Sequence, residues 1–235
     1  MRGGLGRIAD ALFPRGPNPH GELPALLIAL TLVSGLVDAV SFLGLGRVFV
    51  ANMTGNVAFL GFVLAGDHEL PIWAPPLALS SFAAGAWSAG RLAGRMADAR
   101  RELVMLTIAH AFLVAAALAL ARLAGHREPA VQAALIALLA CGMGLQNAAV
   151  RRVAVPDMTT TVLTRTLTGL IADPPGRATR RRAVSVLALF TGALAGAALY
   201  LTVGPVPPLA AALVLLALVA VSVPRAPRPP APAEA

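Results

Sequence analysis

The chain has 235 residues, of which 57% are hydrophobic and only 13% charged, and its mean hydropathy is +0.77. That much apolar surface cannot be clothed in a water-soluble globule of this size, so a soluble domain is excluded and an all-α integral membrane protein is expected. The formal net charge of +8 comes entirely from arginine; the arginines sit between apolar runs, where anionic lipid and the positive-inside rule account for them without nucleic acid as a partner.

In chain order, residues 1–22 are polar, carry Arg2, Arg7 and Arg15, and are interrupted by Pro14, Pro17 and Pro19. Leu5, Ile8, Leu12 and Phe13 allow one or two amphipathic turns on a membrane surface. No cleavable signal peptide is expected, because the first apolar run comes late and lacks a small-residue cleavage site. Residues 24–45 form the first spanning segment. A proline opens it, and at about 1.5 Å per residue it crosses a hydrocarbon core of about 30 Å. Its polar residues Thr31, Ser34, Asp38 and Ser41 recur every three or four positions and share one face, which should point inward. Runs of full length follow at residues 71–92, 103–123, 129–150 and 183–203, and a shorter one at 208–223. The tail, residues 224–235, is proline-rich and expected to be disordered.

Two stretches between these runs resemble each other: VFVANMTGNVAFLGFVLAGD at residues 48–67 and VAVPDMTTTVLTRTLTGLIAD at residues 153–173. Each has a polar residue, Asn52 or Asp157, before a Met-Thr pair, then a short apolar helix ending at Asp67 or Asp173. Upstream, Gly35, Leu36, Asp38 and Ala39 correspond to Gly144, Leu145, Asn147 and Ala148. The chain therefore reads as two membrane repeats, residues 23–124 and 129–223, a pattern typical of transporters.

The two short helices span roughly 21–23 Å, less than the core thickness. Arginine placement bears on whether they cross. If neither crosses and the N-terminus is cytoplasmic, fifteen arginines lie inside, three outside, and Arg165 within the membrane. If both cross, the division is eleven to seven; if only the first crosses, thirteen to five. The positive-inside rule thus favours about six transmembrane helices plus two re-entrant half-helices, with both termini cytoplasmic. The first repeat then starts inside and the second outside, an inverted internal repeat. Its half-helix starts, capped by Asn52 and Asp157, should meet near the bilayer midplane.

The segments SGLVDAVSFLGLGRVFVANMTGNV (residues 34–57) and GLQNAAVRRVAVPDMTTTVLTRTLTGL (residues 144–170) resemble the YoaK-type family of bacterial membrane proteins, known mainly as a domain of unknown function. The resemblance covers most of residues 24–223. It implies a multi-span helical fold in the bacterial inner membrane and carries no substrate or mechanism.

The candidate substrate path is therefore built from residues: Asp38, Asn52, Thr54, Asn56, Gln146, Asn147, Asp157, Thr159, Thr161, Thr164, Arg165 and Thr168. Asp157, Thr161, Thr164, Arg165 and Thr168 share one helical face, and an arginine at membrane depth points to an inward functional role unless it snorkels to the headgroups. Asp38 is the one acid placed inside a full span. It serves either as a structural partner for Arg165 or a helix start, or as a proton or ion site. Small-residue pairs Gly192–Gly196 and Gly90–Gly94 suggest close helix packing. His110 reads as a satisfied core histidine and Cys141 as a small core residue. Asp67 and Asp173 read as solvated helix ends. No enzyme motif, metal cluster or cofactor fingerprint occurs. Two function classes remain: a transporter or channel for a small neutral or anionic solute, and a non-transport membrane protein such as a lipid-substrate enzyme or a partner-binding scaffold. Expected partners are membrane lipid and an unknown small-molecule solute, with room for a homo-oligomer.

Overall fold

The computed structural model describes residues 7–8, 11, 20–93, 96, 98–155, 158, 160, 163–174 and 176–223. Asp157, Thr159, Thr161, Gly94, most of residues 1–19 and the tail lie outside this set, and with them the readings made of those positions.

Among the described residues the longer helices are α1 (Leu23–Gly44), α2 (Met53–Leu64), α3 (Ala74–Ala93), α4 (Ala99–Ala124), α5 (Pro129–Val153), α6 (Leu163–Ala172), α7 (Arg177–Val203) and α8 (Val206–Ser222). Proline occupies the first turn of α1, α5 and α8, where a missing N–H removes no helical bond. Asp98 caps α4 by accepting from the Arg100 N–H at 2.9 Å. Helices α1, α4, α5 and α7 are long and apolar enough to cross a membrane. The other two expected spans fall short of that standard: α3 has 20 residues but carries Ser80, Ser81, Ser88 and Arg91, and α8 is apolar but has only 17 residues, about 25 Å of rise.

Contacts along the helices give their directions. Leu32, Leu36 and Gly44 of α1 meet Gly192, Gly196 and Tyr200 of α7 in that order, so α1 and α7 run the same way. Ser34 and Gly44 of α1 accept from Gln146 and Gln132 of α5, at 3.1 and 3.4 Å, so α5 runs against α1. Glu102 and His110 of α4 face Arg152 and Gly142 of α5, so α4 also opposes α5. The two-residue turn at Gly204 and Pro205, with Gly204 at φ +99°, sends α8 back against α7.

The end of the bundle where α1 finishes is here termed upper. There a Cβ on Gly46 would sit 3.3 Å from Pro71 and 3.5 Å from Ala74, and Arg47 pairs with Glu69 at 3.7 Å. The chain therefore leaves α1 and enters α3 at one place, with α2 in the loop between. At the lower end Arg182 of α7 donates to the Gly169 carbonyl at 2.7 Å and pairs with Asp173 at 2.5 Å, holding the end of α6 against the start of α7. Among the described residues helix α2 packs on α3 and α6 on α7, and the two short helices do not pack extensively on each other.

Glycines set the closest helix approaches. A Cβ on Gly35 would lie under 3.0 Å from the Leu189 carbonyl and Ala193 N, and one on Gly144 equally close to the Phe82 carbonyl and Ala86 N. Gly192 sits against the Leu32 backbone and Gly85 against that of Cys141. The expected packing of Gly192 and Gly196 is observed. Gly90 is different: a Cβ there meets nothing within 4 Å, because the α3 surface that contacts α5 passes through Gly85, five residues away. Leu27, Leu30, Leu103, Leu135, Ile136, Leu139, Leu209 and Leu216 fill the core, while Phe112, Leu123, Leu187, Phe190, Leu194 and Leu201 project outward, an apolar exterior suited to lipid.

Candidate functional site

The polar face of α1 is buried as the spacing predicts, with Thr31, Ser34, Asp38 and Ser41 all inside. Thr31 and Ser34 donate back to the Leu27 and Leu30 carbonyls at 2.8 and 3.1 Å, and Ser41 to that of Asp38 at 3.2 Å, so their hydroxyls are satisfied within the helix. Asp38 is different. Its Oδ1 accepts the backbone N–H groups of Val50 and Ala51 at 2.9 and 2.7 Å, and its Oδ2 accepts from Asn52 Nδ2. One carboxylate thereby staples the segment just before α2 to the middle of α1. Two amide donors, a side-chain amide and the adjacent positive end of α2 offset the cost of burying the charge.

Asn52 occupies the N-cap position of α2, as expected, but its side chain does not cap the helix. Its Nδ2 donates instead to the Asp38 carboxylate, a charge-assisted bond stronger than the neutral one a cap would make. Asn56 is fully buried and clips the same loop: Oδ1 accepts the Phe49 N–H at 2.9 Å and Nδ2 donates to the Phe49 carbonyl at 2.6 Å. Thr54 is exposed beside it.

Against this loop lies a cavity of about 330 Å³, whose lining includes Asp38, Asn52, Phe42, Phe49, Ala193 and Ala197. Its wall is apolar except at the Asp38–Asn52 end. A second cavity, of about 220 Å³, opens toward the upper end and is lined by Phe42, Phe59, Phe62, Arg47, Asp67 and Glu69. Phe42 stacks on Phe49 with centroids 5.0 Å apart, and Phe49 on Phe59 at 5.9 Å. Sequence reasoning does not single out these phenylalanines. The available signal is their density: four of the eight in the chain fall within residues 42–62.

Gln146 and Asn147 fall elsewhere. Gln146 is buried and donates to the Leu30 carbonyl at 3.2 Å and to Ser34 Oγ at 3.1 Å, tying α5 to α1. Asn147 donates to the Met143 carbonyl at 2.9 Å within its own helix. His110 is a core residue as expected: its ring faces Gln146 of α5 and lies over Gly142, where no Cβ would fit. On α6, Thr164 and Thr168 are exposed, Thr168 donating to the Thr164 carbonyl at 2.9 Å. Arg165 belongs to α6, and its side chain lies outside the described set. The described partners of Asp38 are all in the loop, so its role as a helix-start partner is the one the geometry displays.

The ends of the bundle carry the remaining charges. At the lower end Arg152 pairs with the buried Glu102 at 2.6 Å and also donates to the Met96 carbonyl. Burial, then the nearby Arg181 and Arg100 charges, hold His20 below the usual histidine range. At the upper end His126 lies 3.1 Å from the Tyr200 hydroxyl, and burial followed by Arg127 lowers its pKa. Asp67 is half-buried and accepts the Glu69 N–H at 2.8 Å; Asp173 is exposed and ion-paired. Among the described residues no group of three or more His, Cys, Asp or Glu side chains could hold a metal.

No solved structure matches the chain. One relative is the UPF0700 transmembrane protein YoaK of Bacillus subtilis (strain 168), 32% identical over 154 residues, which cover 65% of this chain and 67% of the relative. Residues 26–222 match the family described as "Protein of unknown function (DUF1275)". A match over nearly the whole helical region, joined to four long apolar helices, makes the chain a membrane protein of the DUF1275 family.

Proposed function

We propose that this protein conducts a small neutral solute across the bacterial inner membrane, along a route that passes Asp38. The observation that carries the reading is the cavity of about 330 Å³ beside α1, apolar along its wall and bearing a buried carboxylate and an amide at one end. Non-helical backbone at membrane depth is tolerated where it is buried in protein or lines a cavity, and residues 45–52 do both. An apolar chamber with convergent polar groups is the usual form of a small-molecule site.

The architecture supports a transporter. Taking α3 and α8 as spans beside the four longer helices gives six, so that α1 starts and α8 ends on the lower side, where most of the described arginines lie and which the positive-inside rule makes cytoplasmic. The pairing of Gly35 with Leu189 and Ala193 recurs as that of Gly144 with Phe82 and Ala86, and Gly192 on Leu32 recurs as Gly85 on Cys141. Each second-half position is the sequence counterpart of its first-half partner. With α5 running against α1, this is the packing that an inverted repeat would produce. The α2 loop opens to the upper side and α6 is anchored at the lower side, as two re-entrant segments require.

The site chemistry narrows the solute. Arg165 and the half-helix starts allow an anion on sequence grounds; a carboxylate in the cavity wall repels one. A neutral solute with an apolar body and a hydrogen-bond donor at one end fits the chamber. Purified protein in liposomes, screened for uptake of neutral, anionic and cationic small solutes, should pass a neutral solute and lose that flux in Asp38→Asn. Absence of flux for every class would refute transport and favour the non-transport reading.

A further inference from the structure

We propose that the two cavities are successive stations of one route, that the Phe42 ring is the partition between them, and that the upper station screens against anions. The inference rests on the transport reading above and adds to it a second binding station, a gating residue and a charge rule.

The geometry begins with Phe42, which lines both cavities. One turn of α1 separates it from Asp38, which lines the lower chamber with it, so Phe42 sits one turn nearer the upper end than the carboxylate. It does not stand alone. Phe49 stacks on it nearly parallel, with an interplanar angle of 18°, and Phe59 closes the group at 6.4 Å from Phe42. Phe49 faces the lower chamber and Phe59 the upper one, so the three rings form a wall with a cavity on each side. An apolar constriction of this kind blocks water and polar solutes by dewetting and opens when a ring swings aside.

The upper station has its own chemistry. Phe42, Phe59 and Phe62 are inclined rather than stacked, Phe59 and Phe62 by 55° at 6.3 Å, which shapes a cup of phenyl faces. Phenyl faces carry negative potential and attract cations. Asp67 and Glu69 stand at the rim against the single guanidinium of Arg47, which Glu69 holds at 3.7 Å. Arg47 has a left-handed backbone, φ 57°, a conformation that costs a non-glycine residue energy and marks a constrained position. The rim therefore carries an excess of negative charge, and Asp38 repeats that sign below. Neutral and cationic solutes pass such a route; anions meet repulsion at both stations.

The test needs no knowledge of the solute. In a Cys141→Ala background, Ala197→Cys places a single thiol on the lower chamber, and spheroplasts are exposed to membrane-impermeant methanethiosulfonates, one cationic and one anionic. Modification should be slow with Phe42 present and about tenfold faster in Phe42→Ala, the ratio that corresponds to lowering a barrier by roughly 1.4 kcal/mol. Phe42→Leu should be intermediate, and it carries the test if the alanine variant fails to elute as folded protein. The cationic reagent should outpace the anionic one in every variant. Equal rates with and without the ring overturn the partition, and an anionic reagent that is as fast as the cationic one overturns the charge rule. Because labelling requires no flux, a labelled but non-transporting protein would refute transport while leaving the partition, and solute flux indifferent to Phe42 would do the reverse.

Discussion

Exchanging the two members of the Asp38–Asn52 pair should break the staple singly and restore it together. In Asp38→Asn the side-chain oxygen can still accept from Val50 and Ala51, but the new amide nitrogen faces Asn52 Nδ2, donor against donor. The variant loses one charge-assisted hydrogen bond and weakens two more, so a destabilisation of about 2 kcal/mol is expected. Asn52→Asp sets two carboxylates against each other and should cost at least as much. The double variant again presents a donor to an acceptor and should return to within about 1 kcal/mol of the parent, a coupling of about 2–3 kcal/mol. Asp38→Ala should be worse than any of these, because it leaves the buried Val50 and Ala51 N–H groups without an acceptor, at about 1–3 kcal/mol each. Unfolding by SDS titration in mixed micelles, followed by circular dichroism, measures all four variants. Additive single effects, or an Asp38→Asn protein as stable as the parent, would refute the staple.

Other positions give independent checks. Gly35→Ala and Gly144→Ala should each lower stability by about 1–3 kcal/mol, because each forces backbone apart, whereas Gly90→Ala should be neutral or raise it by about 0.5–1 kcal/mol; thermal melts of the three variants decide this. Arg152→Ala strands the buried Glu102 carboxylate and should cost about 3 kcal/mol, most of it recovered when Glu102→Gln is added, as read by the same SDS titration. His126 has a lowered pKa when folded, so the unfolded chain binds more protons just below its ordinary value of 6.5. Stability should therefore fall as pH drops through about 6.5, and this dependence should shrink in His126→Gln when melting temperature is followed against pH; an unchanged profile would contradict it.

The elements that depend on local pattern are legible in the sequence. Pro24, Pro129 and the Met-Thr pair at residue 53 mark helix starts that the fold keeps, and the brevity of α2 follows from the polar positions flanking it. The inward polar face of α1 also follows, since three- and four-residue spacing leaves no other arrangement. What Asp38 touches does not. Its partners lie twelve to fourteen residues on, across a turn with no periodicity to read, and an acid in an apolar run suggests a distant cation before it suggests a loop. The glycine contacts are half legible. Gly35 and Gly144 stand out as counterparts, yet spacing singles out Gly90 rather than Gly85, because it does not reveal which side of a helix faces its neighbour. The cavity is hidden for a related reason: its walls come from α1, the α2 loop and α7, and Ala193 and Ala197 are unremarkable in sequence.

The most direct test of the proposed route fills the lower chamber without touching its polar end. Ala197 lines the cavity on α7, opposite the loop that Asp38 holds, and Ala197→Leu inserts a branched apolar side chain there. Solute flux is measured in liposomes bearing equal amounts of folded parent and variant, using a neutral solute that the parent passes. The account predicts that flux in the variant falls to the level of protein-free liposomes while its size-exclusion profile and melting temperature stay those of a folded protein. Undiminished flux through a folded Ala197→Leu protein would contradict it, since the solute would then be crossing by a path that avoids Asp38.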